Sequence, residues 1–106
     1  MSDLGLKESE LSEIAKTLND NPLVISAAIF GSRATGSHKP YSDIDIAVYG
    51  DLGVSDVEGI ANDLDELPLV YKFDVVAYGL LNCPSLREHI DRVGVSIFDR
   101  VRGIGG

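Results

Sequence analysis

Apolar and polar residues along the chain mark out seven elements. Leu11, Ile14, Ala15 and Leu18 fall at i, i+3, i+4 and i+7, which predicts an amphipathic helix over residues 7–20. Asn19-Asp20-Asn21-Pro22 ends it. The run LVISAAIF at 23–30 is short, apolar and rich in β-formers, and reads as a buried strand. It ends on Gly31-Ser32, with a short turn or helix to Ala34 and loop chemistry over 36–42. Over 43–49 the pattern alternates: Asp43, Asp45 and Ala47 face one way, and Ile44, Ile46 and Val48 the other. A helix over 55–66 is signalled by Ser55-x-x-Glu58 as a capping box and by Val57, Ile60, Ala61 and Leu64 on one face. Residues 69–77 read as a third strand, with Lys72, Asp74 and Val76 on one face and Phe73 and Val75 on the other. A helix over 85–93, opened by Ser85-x-x-Glu88, and an edge strand over 95–98 complete the series. The order α-β-β-α-β-α-β predicts an α/β (α+β) layer fold with a mixed sheet of about four strands. Residues 101–106 are expected to form a mobile tail on a single domain spanning 1–106.

Charge narrows the choice of partner. Nine Lys and Arg stand against 17 Asp and Glu, a net charge of −8. The basic residues are scattered, so no extended nucleic-acid footprint is expected. A small anionic substrate or a basic protein partner remains compatible. One cysteine, Cys83, cannot form an internal disulfide and has no zinc-type ligand spacing. With an acidic, polar N-terminus and no long apolar run, this points to a cytoplasmic protein without a membrane span.

The candidate chemistry lies on the two strands that carry aspartates. Side chains at i and i+2 share a face with Cα atoms roughly 6.5–7 Å apart, so Asp43 and Asp45 can converge on one oxygen-seeking cation. If the strand carrying Asp74 lies alongside, three carboxylates form one cluster. Their repulsion calls for a divalent cation, Mg²⁺ or Mn²⁺. A pair of such ions can clamp the two oxygens of an in-line phosphoryl displacement. A lone D-x-D is equally compatible with aspartates that face solvent or cap a turn. Asp74 is harder to explain that way, because it sits among the β-formers Phe73 and Val75.

Gly31-Ser32 adds a place for an anion. Glycine lets the backbone approach a ligand, and the N–H groups opening a short helix attract negative charge. Ser32 offers a hydroxyl, and Arg33 and Lys39 supply charge nearby. Gly31 and Gly36 satisfy the glycine spacing of a P-loop, but Ser37-His38 stands where Lys-Ser/Thr is required. No dinucleotide-binding glycine fingerprint is present.

Taken together, GSRATGSHKPYSDIDIAV followed by YKFDVV resembles the signature of the polymerase-β-like nucleotidyltransferase superfamily, and most of all its minimal (MNT) members. The resemblance covers nearly the whole chain, from the first helix to VSIF. It implies that Gly31 and Ser32 hold the β- and γ-phosphates, with a less defined part for Arg33. It implies that Asp43 and Asp45 ligate both metals, and that Asp74 binds the catalytic metal and helps deprotonate the acceptor hydroxyl. The implied activity is metal-dependent transfer of a nucleoside monophosphate, AMP above all, from an NTP to a hydroxyl with release of pyrophosphate. Minimal members pair with small helical HEPN proteins as antitoxin and toxin, which implies a tyrosine of such a partner as acceptor.

Other residues have plainer readings. Lys72 shares the Asp74 face and reads as a surface ion-pair residue or a phosphate contact. His38 and His89 read as structural histidines, Cys83 as a small loop residue, and Tyr41 as a loop aromatic. The competing functional readings are a non-catalytic module that masks its partner, and a nucleotide-sugar enzyme built on D-x-D. The small size and the Gly-Ser turn disfavour the latter. A homo-oligomer is compatible with an apolar face on the first or last helix.

Overall fold

The structure, a computed structural model, describes residues 4–36 and 43–100. In chain order the elements are α1 (Glu8–Asn19), β1 (Val24–Phe30), α2 (Ser32–Thr35), β2 (Ile44–Gly50), α3 (Val54–Asp65), β3 (Phe73–Ala77), a 3₁₀ turn (Tyr78–Leu80), α4 (Pro84–Val93) and β4 (Val95–Asp99). The strands form one mixed sheet in the order β3-β2-β1-β4. β1 is antiparallel to both β2 and β4, while β2 and β3 are parallel. A parallel pair needs a long crossover, and α3 supplies it.

The alternation in β2 divides the molecule into layers. Ile44, Ile46 and Val48 enter the larger core with Ile14 and Leu18 of α1, Val24, Ala27 and Ile29 of β1, Ile60 and Leu64 of α3, and Phe98 of β4. The opposite face of the sheet carries a smaller cluster in which Phe30 and Ala47 meet Ile90 of α4, with Tyr49, Val76, Tyr78 and Leu86 around them. The mixed sheet flanked by helices, inferred from the pattern, is therefore the observed architecture.

α4 is fastened to its face by polar contacts as well. The Tyr78 ring stacks on Tyr49 with centroids 4.9 Å apart. Its hydroxyl donates to the Asp91 carboxylate at 2.8 Å, and the Arg87 guanidinium lies 4.8 Å from its ring centroid.

The element boundaries correct several expectations. α3 starts before Ser55: Gly53 is its cap, and the Gly53 N–H donates to the Asp56 carboxylate at 2.8 Å. α4 is capped by Cys83 with Pro84 in its first turn, so Ser85 is already helical. Proline suits that position because its missing N–H would have had no helical acceptor. Glu88 pairs instead with Arg92 at 3.0 Å on the exposed surface. β3 begins at Phe73 and not at 69, because its partner begins at Ile44, opposite Phe73. The Ile44 N–H makes one further bond, to the Lys72 carbonyl at 2.8 Å; Leu69 and Tyr71 pack against the core ahead of the strand. β1 is less buried than its apolar run suggests. A bulge between Val24 and Ser26 leaves Ile25 46% exposed. The tail at 101–106 lies outside the described residues.

Arg100, just past β4, ties the edge strand to the α1–β1 turn. It donates to the Val24 carbonyl at 3.0 Å, the Asn19 Oδ1 at 2.9 Å and carbonyl at 3.1 Å, and the Asn21 carbonyl at 3.2 Å. Its guanidinium lies 5.2 Å from the Phe98 ring centroid. Replacing Arg100 with Ala removes these bonds and leaves carbonyls short of a donor. The expected cost is about 1–3 kcal/mol, read as a lower urea midpoint with an unchanged m-value.

Candidate active site

Three consecutive structural choices bring the carboxylates together. The first is the register of the parallel pair, in which Asp45 of β2 lies directly opposite Asp74 of β3. Neighbouring strands are about 4.8 Å apart, so these two residues are lateral neighbours on one face. The second is the alternation within β2, which puts Asp43, immediately before the strand, on the same side as Asp45. The third is the antiparallel register with β1, which sets Phe30 opposite Asp45. Asp74, Asp45 and Phe30 thus form a row across three strands.

The chain turns sharply just after Phe30. Gly31 has φ +76° and ψ −151°, a conformation that L side chains rarely adopt. Its backbone also lies against the Asp45 side chain. A Cβ at position 31 would fall on the Asp45 Oδ2 atom and stand 3.2 Å from its Cγ. Glycine is required here both by conformation and by the close approach of a carboxylate. α2 then opens at Ser32, with the N–H groups of Ala34 and Thr35 bonded to the Gly31 carbonyl. The glycine-serine turn and the aspartate strand therefore lie against each other.

The electrostatics of the row centre on Asp45, which is half-buried while Asp43 and Asp74 are exposed. Burial raises the Asp45 pKa above its ordinary value of 3.8, the neighbouring charges of Asp74 and Asp43 raise it further, and His89 pulls the other way. His89 reaches this region from α4. It is half-buried, and its ring meets Phe30 edge-on with centroids 6.3 Å apart and planes at 80°.

Among the described residues, no three His, Cys, Asp or Glu side chains converge closely enough to hold a metal ion. The donor set nevertheless fits a hard divalent cation. It is all oxygen, it lies on one face, and its central member is a carboxylate whose charge is disfavoured until a positive charge offsets it.

Arg33, expected beside a bound nucleotide, is only 1% exposed. It donates to the Leu4 carbonyl at 2.9 Å and lies 4.8 Å from the Tyr71 ring centroid. Tyr71 in turn donates to Glu10 at 3.3 Å. These contacts brace α2, and with it the turn, against the N-terminal segment. Lys72 is exposed, next to the start of β3. Lys39, His38 and Tyr41 lie outside the described residues. His89 is the site neighbour that sequence reasoning set aside, because a lone histidine on an amphipathic helix gives no sign of what it faces.

Residues 12–102 match the family described as Polymerase beta, Nucleotidyltransferase. The chain belongs to that nucleotidyltransferase family. Its fold recurs in solved structures. A chain from a toxin–antitoxin complex with AMP-PNP is 27% identical, with a TM-score of 0.72 over 84% of this chain and 73% of that one. A chain from the complex of tri-AMPylated Shewanella oneidensis HEPN toxin with MNT antitoxin is 24% identical, with a TM-score of 0.70, covering 92% of this chain and 76% of that one. A putative nucleotidyltransferase from Sulfolobus solfataricus is 24% identical, with a TM-score of 0.59, covering 91% and 83%. The chain has no significant match among curated proteins. The resemblance to minimal nucleotidyltransferases seen in the sequence is borne out by family and fold together. Among the described residues no helix is long and apolar enough to cross a membrane.

The carboxylate row makes a stability prediction that does not depend on activity. A carboxyl whose folded pKa is raised contributes fully below its unfolded pKa, and that contribution is lost as pH rises through the folded value. Metal-free protein should therefore carry a penalty from Asp45 at pH 7. Asp45→Asn is expected to raise the metal-free Tm at pH 7, each kcal/mol being worth about 4–8 °C for a domain of this size. The difference should vanish below pH 3.8. Mg²⁺ should stabilise the native protein more than the variant. Thermal melts across pH, with and without Mg²⁺, check both points.

Proposed function

We propose that this chain transfers AMP from ATP to a hydroxyl acceptor, a tyrosine of a HEPN-type partner, with release of pyrophosphate. The observation that carries the reading is the contact of the Gly31 turn with the Asp45 carboxylate, with Asp74 next in the row. A turn suited to phosphates thereby abuts acids suited to a cation, which is the pairing that nucleotidyl transfer requires.

Within this reading, the backbone at Gly31 and Ser32 and the Ser32 hydroxyl hold the β- and γ-phosphates. Asp43, Asp45 and Asp74 would hold Mg²⁺ or Mn²⁺. Bound there, the cations would lower the pKa of the attacking hydroxyl and neutralise charge on the leaving group. Asp74 lies at the end of the row away from the turn, where it can orient the acceptor and take its proton. The acceptor oxygen forms a bond to the α-phosphorus, the bond from that phosphorus to the bridging oxygen of the β-phosphate breaks, and pyrophosphate departs. Alignment of the two reactants and fixed electrostatics supply most of the rate. Arg33 serves by bracing the turn.

The relative crystallised with AMP-PNP supports an adenine nucleotide as donor, and its place in a toxin–antitoxin complex supports a protein partner. The HEPN tyrosine follows from the sequence resemblance. A fold neighbour in complex with a tri-AMPylated HEPN toxin is consistent with it. The acidic balance of this chain suits a basic partner.

Label transfer tests the reading. With ATP labelled at the α- or the γ-phosphate, Mg²⁺ and host lysate, label should reach a protein from the α position alone. Asp43→Asn should reduce transfer by at least about 100-fold, the scale of losing one strong electrostatic contribution. Absence of transfer with all four NTPs, in Mg²⁺ or Mn²⁺, would favour a module that masks its partner without chemistry.

A further inference from the structure

We propose that His89 is a substrate-binding residue, donating a hydrogen bond to the phosphate chain of the nucleotide. The inference rests on the reading of Gly31-Ser32 as the phosphate turn, and it adds a contact from a different element.

The sheet order sets a direction across the acid face. Asp74, Asp45 and Phe30 are register partners on β3, β2 and β1, so they form a line across the acid face. The acceptor belongs at the Asp74 end. At the other end Phe30 runs directly into Gly31 and Ser32. His89 stands at that second end, with its ring edge-on to Phe30 at 6.3 Å. It comes from α4, whose Ile90 is buried against Phe30 and Ala47 on the same face. It is also close enough to Asp45 for its charge to act on that carboxylate.

The mount is rigid. Ile90 is 2% exposed. Asp91 accepts from the Tyr78 hydroxyl at 2.8 Å. Arg87 lies over the Tyr78 ring, and that ring is stacked on Tyr49 of β2. Ile90, Asp91 and Arg87, all within one turn of His89, thus hold this part of α4 against the sheet, and the imidazole rests edge-on against Phe30. It remains half-buried and not enclosed, with donor capacity to offer a ligand. The guanidinium of Arg33 is engaged at the Leu4 carbonyl and the Tyr71 ring. A phosphate chain laid from Ser32 toward Asp45 therefore passes the His89 side of the row.

The test is the Kd of Mg²⁺·AMP-PNP, measured by titration calorimetry on the full chain. His89→Leu keeps an apolar contact with Phe30 and removes the donor, and His89→Phe serves if the leucine variant fails to fold. His89→Gln keeps an N–H donor. The expected result is binding about tenfold weaker in the Leu or Phe variant, the scale of a lost hydrogen bond to a charged group. The Gln variant should stay within about threefold of the native protein, and the melting temperatures of the variants should be similar. Native affinity in the Leu or Phe variant would overturn the proposal, as would equal weakening in all variants, which marks a packing role. Failure of the native protein itself to bind AMP-PNP would overturn the phosphate-turn reading, and this proposal with it.

Discussion

The close approach of the Gly31 backbone to the Asp45 carboxylate is the constraint around which this fold is arranged. Two chain segments with opposite needs meet there. One must turn with a positive φ and expose N–H groups, and the other must present a charged side chain on a strand. Any Cβ at position 31 would collide with the carboxylate. The antiparallel register of β1 and β2 fixes the meeting point, since Phe30 lies opposite Asp45 and the turn follows at once. The bracing of α2 through Arg33, Leu4 and Tyr71 holds the turn from its buried side.

The sheet serves this contact by keeping its two faces distinct. One face is covered by α1 and α3 and forms the larger core. The other is covered by α4 over its middle, where Ala47 and Phe30 meet Ile90. The acids lie at the end of this second face where β2 begins, so they remain open to water while the strands beneath them stay rigid. Repulsion within the row is tolerated because two of its members are exposed and only Asp45 is half-buried. A row that carries excess negative charge on a rigid frame is suited to gaining cations.

Much of this was legible in the residues, for physical reasons. Strict alternation in DIDIAV could be satisfied only by a half-buried strand, so the acid face followed from period alone. An aspartate is disfavoured among β-formers such as Phe73 and Val75, which singled out Asp74. The glycine before Ser32 carried the turn. What was not legible depends on contacts between distant segments. The start of β3 is set by where β2 offers a partner, and the apolar lead-in LVYK resembles strand without one. The caps of α3 and α4 moved because Asp56 and Pro84 compete better for the first turn than the serines that follow the motif. A four-residue helix gives no periodicity, so nothing indicated that Arg33 would be buried. His89 became a site neighbour only because α4 docks on the acid face, a pairing that no local pattern reports.

Anomalous diffraction from crystals grown with Mn²⁺ and AMP-PNP would show whether the acid row and the Gly31-Ser32 turn form one metal–nucleotide site. The expected result is manganese bound by oxygens of Asp45 and Asp74, with Asp43 alongside, and the β- and γ-phosphates lying against the backbone of Gly31 and Ser32. Manganese away from these aspartates, or a triphosphate bound elsewhere on the sheet, would contradict it.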